Sequence, residues 1–403
     1  MQVRSEALME AANHISSIRP FKILIVDDEA YIIDFLKEAL LFWGYEVLSA
    51  FTAQEAFEII KTNDISLLIT DIKMEAADSG LRLIEDVKAL FPDMLIILVT
   101  GSFADDNTMR FCEMNSVSFL QKPIRANELK ILINNTFCQH QKETELKSDI
   151  DAAKKIIENT FPKKHPENSK IDIFSIYRPV YDIGGDFYDF IDLGNGKLLF
   201  YLCDVQGHGI HAAIFANTIR IFLRAFAETT EGLDNIVKRL NGSMCAETHS
   251  NLMATAFFAC YDTESGILSF VNAGHEPPLL YRAASGSFDR LESGGTIIGI
   301  FESAEYRMCQ TILEQGDILF LYTDGVCDNY NINFQNFSIE KINEIITVNK
   351  NENSQHIGRQ ILNRIQKHLG GNPQHDDLAF ILLKINSCRA DNDNNNDKDK
   401  VKF

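Results

Sequence analysis

A single Trp, 9 Pro and 22 Gly in 403 residues leave few chain breakers and no low-complexity bulk, which excludes collagen-like or wholly disordered chains. The 28 Phe and a hydrophobic share of 45% supply the apolar volume for real cores. Cysteine is present but scattered, at Cys112, Cys138, Cys203, Cys245, Cys260, Cys309, Cys327 and Cys388, without one CxxC pair. That spacing argues against a disulfide framework or a thiolate zinc site and fits free thiols in a reducing compartment. Long apolar runs are missing too: MLIILV at 94–99 has strand length, far short of a bilayer span. The opening residues carry Arg4, Glu6 and Glu10 where a signal peptide needs an apolar core, so a soluble, cytoplasmic protein is expected. The last deficit is positive charge. With 38 Lys and Arg against 57 Asp and Glu the formal charge is −19, which repels nucleic-acid backbones and anionic lipid, so neither is an expected partner. It also predicts carboxylates that need cations.

What is present divides at about 150 residues per domain into two or three domains. A short leader, 1–20, precedes five apolar runs: KILIVDD (22–28), EVLSA (46–50), SLLITD (66–71), MLIILVTG (94–101) and SFLQKP (118–123). Stretches of helical periodicity at 30–43, 53–62, 80–90, 105–114 and 126–138 separate them. Runs apolar almost throughout and spaced by helices predict a parallel sheet covered on both faces, a doubly wound α/β domain over 21–138. The segment 139–165 reads as a helical linker whose Leu146, Ile150, Ala153 and Ile157 fall at alternating spacings of four and three, as in a short coiled-coil seam. From Ile171 strand-like runs follow one another directly, which implies antiparallel hairpins with helices at 211–227, 233–248, 338–347 and 354–369. The expected second domain, 166–387, is therefore α+β with two packed sheets, and 388–403 is a polar, disordered tail.

Three acidic side chains in the first domain sit at carboxyl ends of predicted strands, where open α/β sheets place their sites. Asp27 and Asp28 end the first strand and Asp71 the third; Thr100 and Lys122 end the fourth and fifth. Clustered carboxylates call for a hard divalent ion such as Mg²⁺. A phosphoryl group on Asp71 would meet that ion, the Lys122 ammonium and the Thr100 hydroxyl. Residues 21–138 thus resemble a two-component receiver domain, the flavodoxin-like response-regulator module that a sensor histidine kinase phosphorylates. The resemblance implies Asp71 as phosphoacceptor, Asp27, Asp28 and Asp71 as Mg²⁺ ligands, Thr100 and Phe119 as switch residues, and Lys122 as counter-charge. The separations of 43, 29 and 22 residues between Asp28, Asp71, Thr100 and Lys122 agree with that family. Met74-Glu75 stands where Met-Pro is usual, in a loop one residue longer.

The second domain offers GGDFYD (184–189), CDVQGHG (203–209), TDG (323–325) and HDD (375–377), each at the edge of a predicted strand. A lone Asp-Gly is a turn; four such motifs converging suit two Mn²⁺ or Mg²⁺ ions, which activate water for attack on a phosphate ester. Together with YRPVYDIGGDFYDF, DVQGHGIHAAIFANTIR, FVNAGHEPPLL, LFLYTDGV and DDLAFILL, they resemble the PPM-type metal-dependent protein phosphatases of the SpoIIE branch. The resemblance implies Asp186, Asp204, the Val205 carbonyl, Asp324 and one of Asp376 or Asp377 as metal ligands. It further implies a phosphoserine or phosphothreonine protein substrate, of the anti-sigma-factor antagonist kind. Cys203 and Gln206 depart from the usual glycine and serine without removing a ligand. Relatives that use a histidine near the metals as general acid point to His208, at an offset from Asp204 that differs from theirs, and His275 is read as a turn residue. GGDFYD superficially shares letters with the GGDEF motif of diguanylate cyclases, but that reading leaves DVQGHG, NAGH and TDG unexplained. A phosphatase-like adaptor is the other alternative, disfavoured because all the expected carboxylates remain. A homodimer, re-paired by phosphorylation and coupled through the linker, is the expected mode of control.

Overall fold

Apolar runs alternating with amphipathic segments fold from Lys22 onward as βα units. The computed structural model describes residues 21–386 except 75, 77, 102–105, 167, 229–231 and 248–251. The expected leader and tail, Cys388 and the departure at Glu75 lie outside the described residues. The chain divides into two compact units between Ser148 and Asp149.

In the first unit, β1 (Lys22–Val26), β2 (Glu46–Ala50), β3 (Leu67–Asp71), β4 (Leu95–Thr100) and β5 (Ser118–Gln121) form one sheet in the order β2-β1-β3-β4-β5. All four pairings are parallel. Strand β3 is buried at every position because both faces are covered. On one face Leu24, Leu68 and Leu98 pack against α2 (Ala53–Thr62), α3 (Ser79–Leu90) and Cys112 of α4 (Asp106–Met114). On the other, Ile25, Ile69 and Val99 meet α1 (Ala30–Phe42) and the start of α5 (Ala126–Glu158) through Leu129 and Ile133. Local signals agree with these elements. Thr52 Oγ1 accepts from Glu55 N at 3.2 Å while Glu55 Oε2 accepts from Phe51 N at 2.9 Å, a reciprocal cap at the start of α2.

Helix α5 runs for 33 residues without a break, so the helix expected at 126–138 and the expected linker as far as Glu158 are one element, and 159–165 lie outside it. Within this chain the anticipated seam is not buried: Leu146 is 60% exposed, and Ile150, Ala153 and Ile157 are half-buried.

The second unit has two antiparallel five-stranded sheets. One contains β7 (Phe187–Gly194), β8 (Lys197–Val205), β9 (Ala254–Asp262), β10 (Ile267–Ala273) and β13 (Cys309–Ile312), in the order β13-β10-β9-β8-β7. The other contains β6 (Ile171–Arg178), β11 (Leu279–Tyr281), β12 (Phe288–Arg290), β14 (Ile318–Tyr322) and β15 (Leu378–Ile385), in the order β12-β11-β14-β15-β6. Their inner faces share a core in which Phe200, Leu202 and Phe257 meet Leu319, Leu321, Ile381 and Leu383. Outside the first sheet lie α6 (Ile210–Phe226) and α7 (Leu233–Glu247), packed through Phe215, Ile219, Val237 and Leu240. Outside the second lie α8 (Ile339–Val348) and α9 (Ser354–Leu369), packed through Ile342, Ile346, Ile357 and Ile361. The expected architecture is the observed one. Strands β12 and β13 were not anticipated; at three and four residues on sheet edges they are too short to show a period. No described helix is long and apolar enough to cross a membrane.

Candidate active sites

The parallel sheet delivers the first site. Asp27 follows β1, Asp71 ends β3, Thr100 ends β4 and Lys122 follows β5, so adjacent strand ends carry them to one place. Carboxylate oxygens of Asp27, Asp28 and Asp71 lie within 4.8 Å of one another. Lys122 Nζ donates to Asp71 Oδ2 at 2.8 Å and to Asp27 Oδ2 at 3.0 Å. Burial raises the Asp27 pKa although Lys122 opposes the shift. Burial also works against the Lys122 charge, but the hydrogen bonds and charges of Asp71 and Asp27 outweigh it and lift its pKa above the ordinary lysine value. Thr100 is buried, and Phe119 is 43% exposed at the next strand. Gly80 is needed here: a Cβ would run into the Asp71 carbonyl, and its N–H donates to Ile72 O at 3.0 Å, closing the loop after β3.

The second site is assembled from both antiparallel sheets. Asp186 precedes β7 and Asp204 lies near the end of β8; Asp324 follows β14, and Asp376 and Asp377 precede β15. Asp204, Val205, Asp324, Asp376 and Asp377 line a cavity of about 530 Å³ together with Tyr181, His208, Thr255 and His375. Asp186 is buried behind that wall, beside Asp204, and its Oδ2 accepts from Thr323 Oγ1 at 2.7 Å. No Lys or Arg is among the described lining residues. The electrostatic consequence is large. Burial, then the charges of Asp324, Asp376 and Asp377, push Asp204 up to about 7. Burial, then Asp376 and Asp328, push Asp324 up to about 6. Burial and Asp204 hold Asp186 well above the carboxylate range. Carboxylates left in this state fit divalent cations, and all are hard oxygen donors.

The adjacent pair Asp376 and Asp377 separates by role. Asp377 is buried, with Oδ1 accepting from Val180 N at 2.9 Å and Oδ2 from Gly185 N at 2.7 Å. Its carboxylate therefore holds the GGD turn, and a Cβ on Gly184 would overlap it. Asp376 is exposed to the cavity, with Oδ1 accepting only from the neighbouring Asp377 N at 2.8 Å. His208, between the positive-φ residues Gly207 and Gly209, sets its ring 4.5 Å from that of Tyr181. His275 is buried with Nδ1 2.8 Å from Thr255 Oγ1, and burial lowers its pKa to about 4. Asn272 closes the turn around it by accepting from His275 N at 2.7 Å.

Two features escaped sequence reasoning. Asp189, the second aspartate of GGDFYD, is fully buried and accepts from Arg224 Nε at 2.7 Å and Nη2 at 2.9 Å, tying β7 to α6. The pairing of Asp189 with an arginine 35 residues away leaves no local signature. Tyr181 was likewise passed over, because a single aromatic in a loop carries no pattern.

With this geometry in place, comparisons with known proteins are informative. Residues 23–134 match the family model of the response regulator receiver domain, and residues 194–386 match that of Stage II sporulation protein E (SpoIIE). The chain is 27% identical over 244 residues to the phosphoserine phosphatase RsbU of Bacillus subtilis, covering 60% of this chain and 71% of that protein. It is 27% identical over 291 residues to protein IcfG of Synechocystis, covering 64% of this chain but only 44% of that protein. It thus spans less than half the length of that relative. Among solved structures, the SiaA-PP2C domain of Pseudomonas aeruginosa superposes with a TM-score of 0.54 at 18% identity, covering 61% of this chain and 99% of that domain, which shows the shared fold.

Proposed function

We propose that this chain, a response-regulator receiver domain joined to a SpoIIE-type PPM phosphatase domain, is a phosphorylation-controlled protein phosphatase acting on phosphoserine or phosphothreonine. The receiver spans 21–138, a helical connection 139–165 and the phosphatase 166–387. The observation that carries the reading is the cavity lined by Asp204, Asp324 and Asp376, drawn from three separated segments, with Asp186 buried beside Asp204 and no Lys or Arg among the described lining residues.

Asp186, Asp204, the Val205 carbonyl, Asp324 and Asp376 are the proposed holders of two Mn²⁺ or Mg²⁺ ions. Ions bound there supply a water of lowered pKa and positive charge against the phosphoryl oxygens. The rest belongs to the chain. The Thr323 hydroxyl occupies Asp186 Oδ2 and leaves Oδ1 available. Asp377 fixes the GGD turn by taking two backbone N–H groups, which sets the position of Asp186. His208, held against Tyr181, and Thr255, held by His275, are the polar side chains beside the acids that a phosphate ester in the cavity would meet.

In the receiver, Asp71 accepts the phosphoryl group from a sensor histidine kinase, with Asp27, Asp28 and Asp71 holding Mg²⁺. Lys122, already within 2.8 Å of Asp71, and Thr100 meet the new phosphoryl oxygens, and Phe119 follows Thr100. Phosphorylation re-pairs receivers in a homodimer, and α5 carries the change. The phosphoprotein substrate is of the anti-sigma-factor antagonist class. Hydrolysis of p-nitrophenyl phosphate with Mn²⁺, wild type against Asp204→Asn, tests the enzyme. Equal rates sink it in favour of an adaptor. An acyl-phosphate mimic that changes neither oligomeric state nor rate sinks the proposed control.

A further inference from the structure

The segment that follows Asp324 carries two costs that the fold does not recover. Residues 328–336 leave and return at a closed base, where Phe337 N donates to Cys327 O at 3.1 Å and Asn336 Nδ2 to Asp328 Oδ1 at 3.3 Å. Asn331 fastens the tip. Its Oδ1 accepts from Asn333 N at 2.9 Å and Gln335 N at 3.0 Å, and its carbonyl accepts from Phe334 N at 2.9 Å. This well-bonded tip turns Ile332 and Phe334 to solvent, 77% and 88% exposed. Phe334 also has φ +56°, the left-handed region; the other non-glycine residues found there among the described ones are Ser116 and Asn195, both small and polar. A bulky side chain enters that region only at a cost, and two exposed apolar side chains on one short loop add a second. Neither is needed to close the loop, since Gly or Asn would close it better.

We infer that this loop is a docking knuckle for the protein that bears the phosphorylated side chain, with Ile332 and Phe334 entering an apolar recess on that protein's folded body. The inference rests on the phosphatase reading and names how that site selects its substrate. The knuckle is built on the wall of the catalytic cavity. Asp328 N donates to Asp324 O at 2.8 Å, Asn329 Nδ2 donates to Gly325 O, and the Tyr330 ring packs 5.1 Å from that of His375, the neighbour of Asp376. With about four residues on each side of the tip, the excursion from its base is at most about 14 Å. A folded protein that brings a phosphoserine to Asp324 and Asp376 therefore comes within reach of the tip. Such contact is also what the chemistry lacks. The cavity wall has no described Lys or Arg, and metal ions held there would grip only the phosphoryl group, which every phosphoprotein shares, so selection among phosphoproteins has to come from contact remote from that group.

The test compares the wild type with Ile332→Ser/Phe334→Gly in Mn²⁺. The substrates are a serine-phosphorylated anti-sigma-factor antagonist from the same genome, the phosphopeptide excised from it, and p-nitrophenyl phosphate. Glycine relieves the left-handed backbone at 334, so the variant is expected to melt no lower than the wild type, which separates docking from folding. The KM for the folded phosphoprotein is expected to rise at least tenfold with kcat within twofold, while both small substrates stay within twofold. An unchanged KM for the folded phosphoprotein overturns the inference. So does a dimer-to-monomer shift of the variant in sedimentation, which would assign the tip to a second copy of the chain. A wild type inert on p-nitrophenyl phosphate removes the phosphatase reading and the knuckle with it; an active wild type whose variant keeps its KM removes the knuckle alone.

Discussion

The two acidic sites solve one electrostatic problem in different ways. In the receiver, parallel strands that neighbour one another in the sheet bring Asp27 and Asp71 together, and the same sheet supplies Lys122, whose ammonium lies within 3.0 Å of both. In the phosphatase unit, four carboxylates line one cavity with a fifth, Asp186, beside Asp204, from segments up to 191 residues apart in the chain, and no Lys or Arg is among the described lining residues. The receiver site is thus partly neutralised before any ion arrives, whereas the phosphatase site is not. A built-in lysine suits a pocket that must wait for a phosphoryl group; its absence suits a site whose positive charge is exchangeable metal.

The sharpest break in the comparison is expected from single carboxylates. Asp204→Asn should cost at least about a thousandfold in Mn²⁺-dependent hydrolysis, roughly 4 kcal/mol of barrier. Asp71→Asn should abolish labelling by an acyl phosphate yet leave a Mn²⁺-dependent basal rate. Measuring both activities on both variants checks whether the sites are chemically separate. Next in size, Asp189→Ala removes the buried partner of Arg224 and should cost about 3 kcal/mol in denaturant unfolding of the second unit, leaving the receiver transition in place. A loss below about 1 kcal/mol would show that α6 does not depend on that pair.

Metal sharpens the contrast further. At a metal concentration a hundred times the phosphatase Kd, each ion held there should stabilise that unit by about 2.7 kcal/mol, with a smaller gain for the receiver at the same Mg²⁺ concentration because Lys122 competes for its carboxylates, readable by calorimetry with and without chelator. Equal gains would contradict the role given to Lys122. Gly184→Ala pushes a methyl into the Asp377 carboxylate and should weaken Mn²⁺ binding about tenfold by titration calorimetry. The last contrast concerns pH. Asp204 and Asp324 titrate at about 7 and about 6 in the folded metal-free chain, against an ordinary value of 3.8. The folded state then binds more protons than the unfolded one, so metal-free stability should be greatest near pH 4 and fall as pH rises toward 7. Mn²⁺ should flatten that slope. Thermal melts across the range check both.

The receiver was legible almost to the side chain because its acids lie at the ends of two neighbouring short strands, and parallel βα geometry fixes where strand ends go. The phosphatase motifs were equally visible as letters, but their roles were not. Asp376 and Asp377 are adjacent in sequence and both line the cavity, yet the first is exposed there and the second is buried and held by two backbone N–H groups. Asp186 and Asp189 share one motif, yet the first sits beside Asp204 and the second binds Arg224. Helix α5 showed its periodicity but not its continuity, since neither Gly nor Pro interrupts 126–158 and only packing at Leu129 and Ile133 tells one part from the rest.

Composition and period, which are local properties, were enough to set the order of strands and helices, the parallel and antiparallel character of the two halves, and the residue types around each site. Which carboxylate faces a cavity, which anchors a turn, and which loop holds a phenylalanine in a glycine's conformation depend on contacts between residues far apart in the chain. Burial and like-charge repulsion act through space, and only the folded molecule decides them.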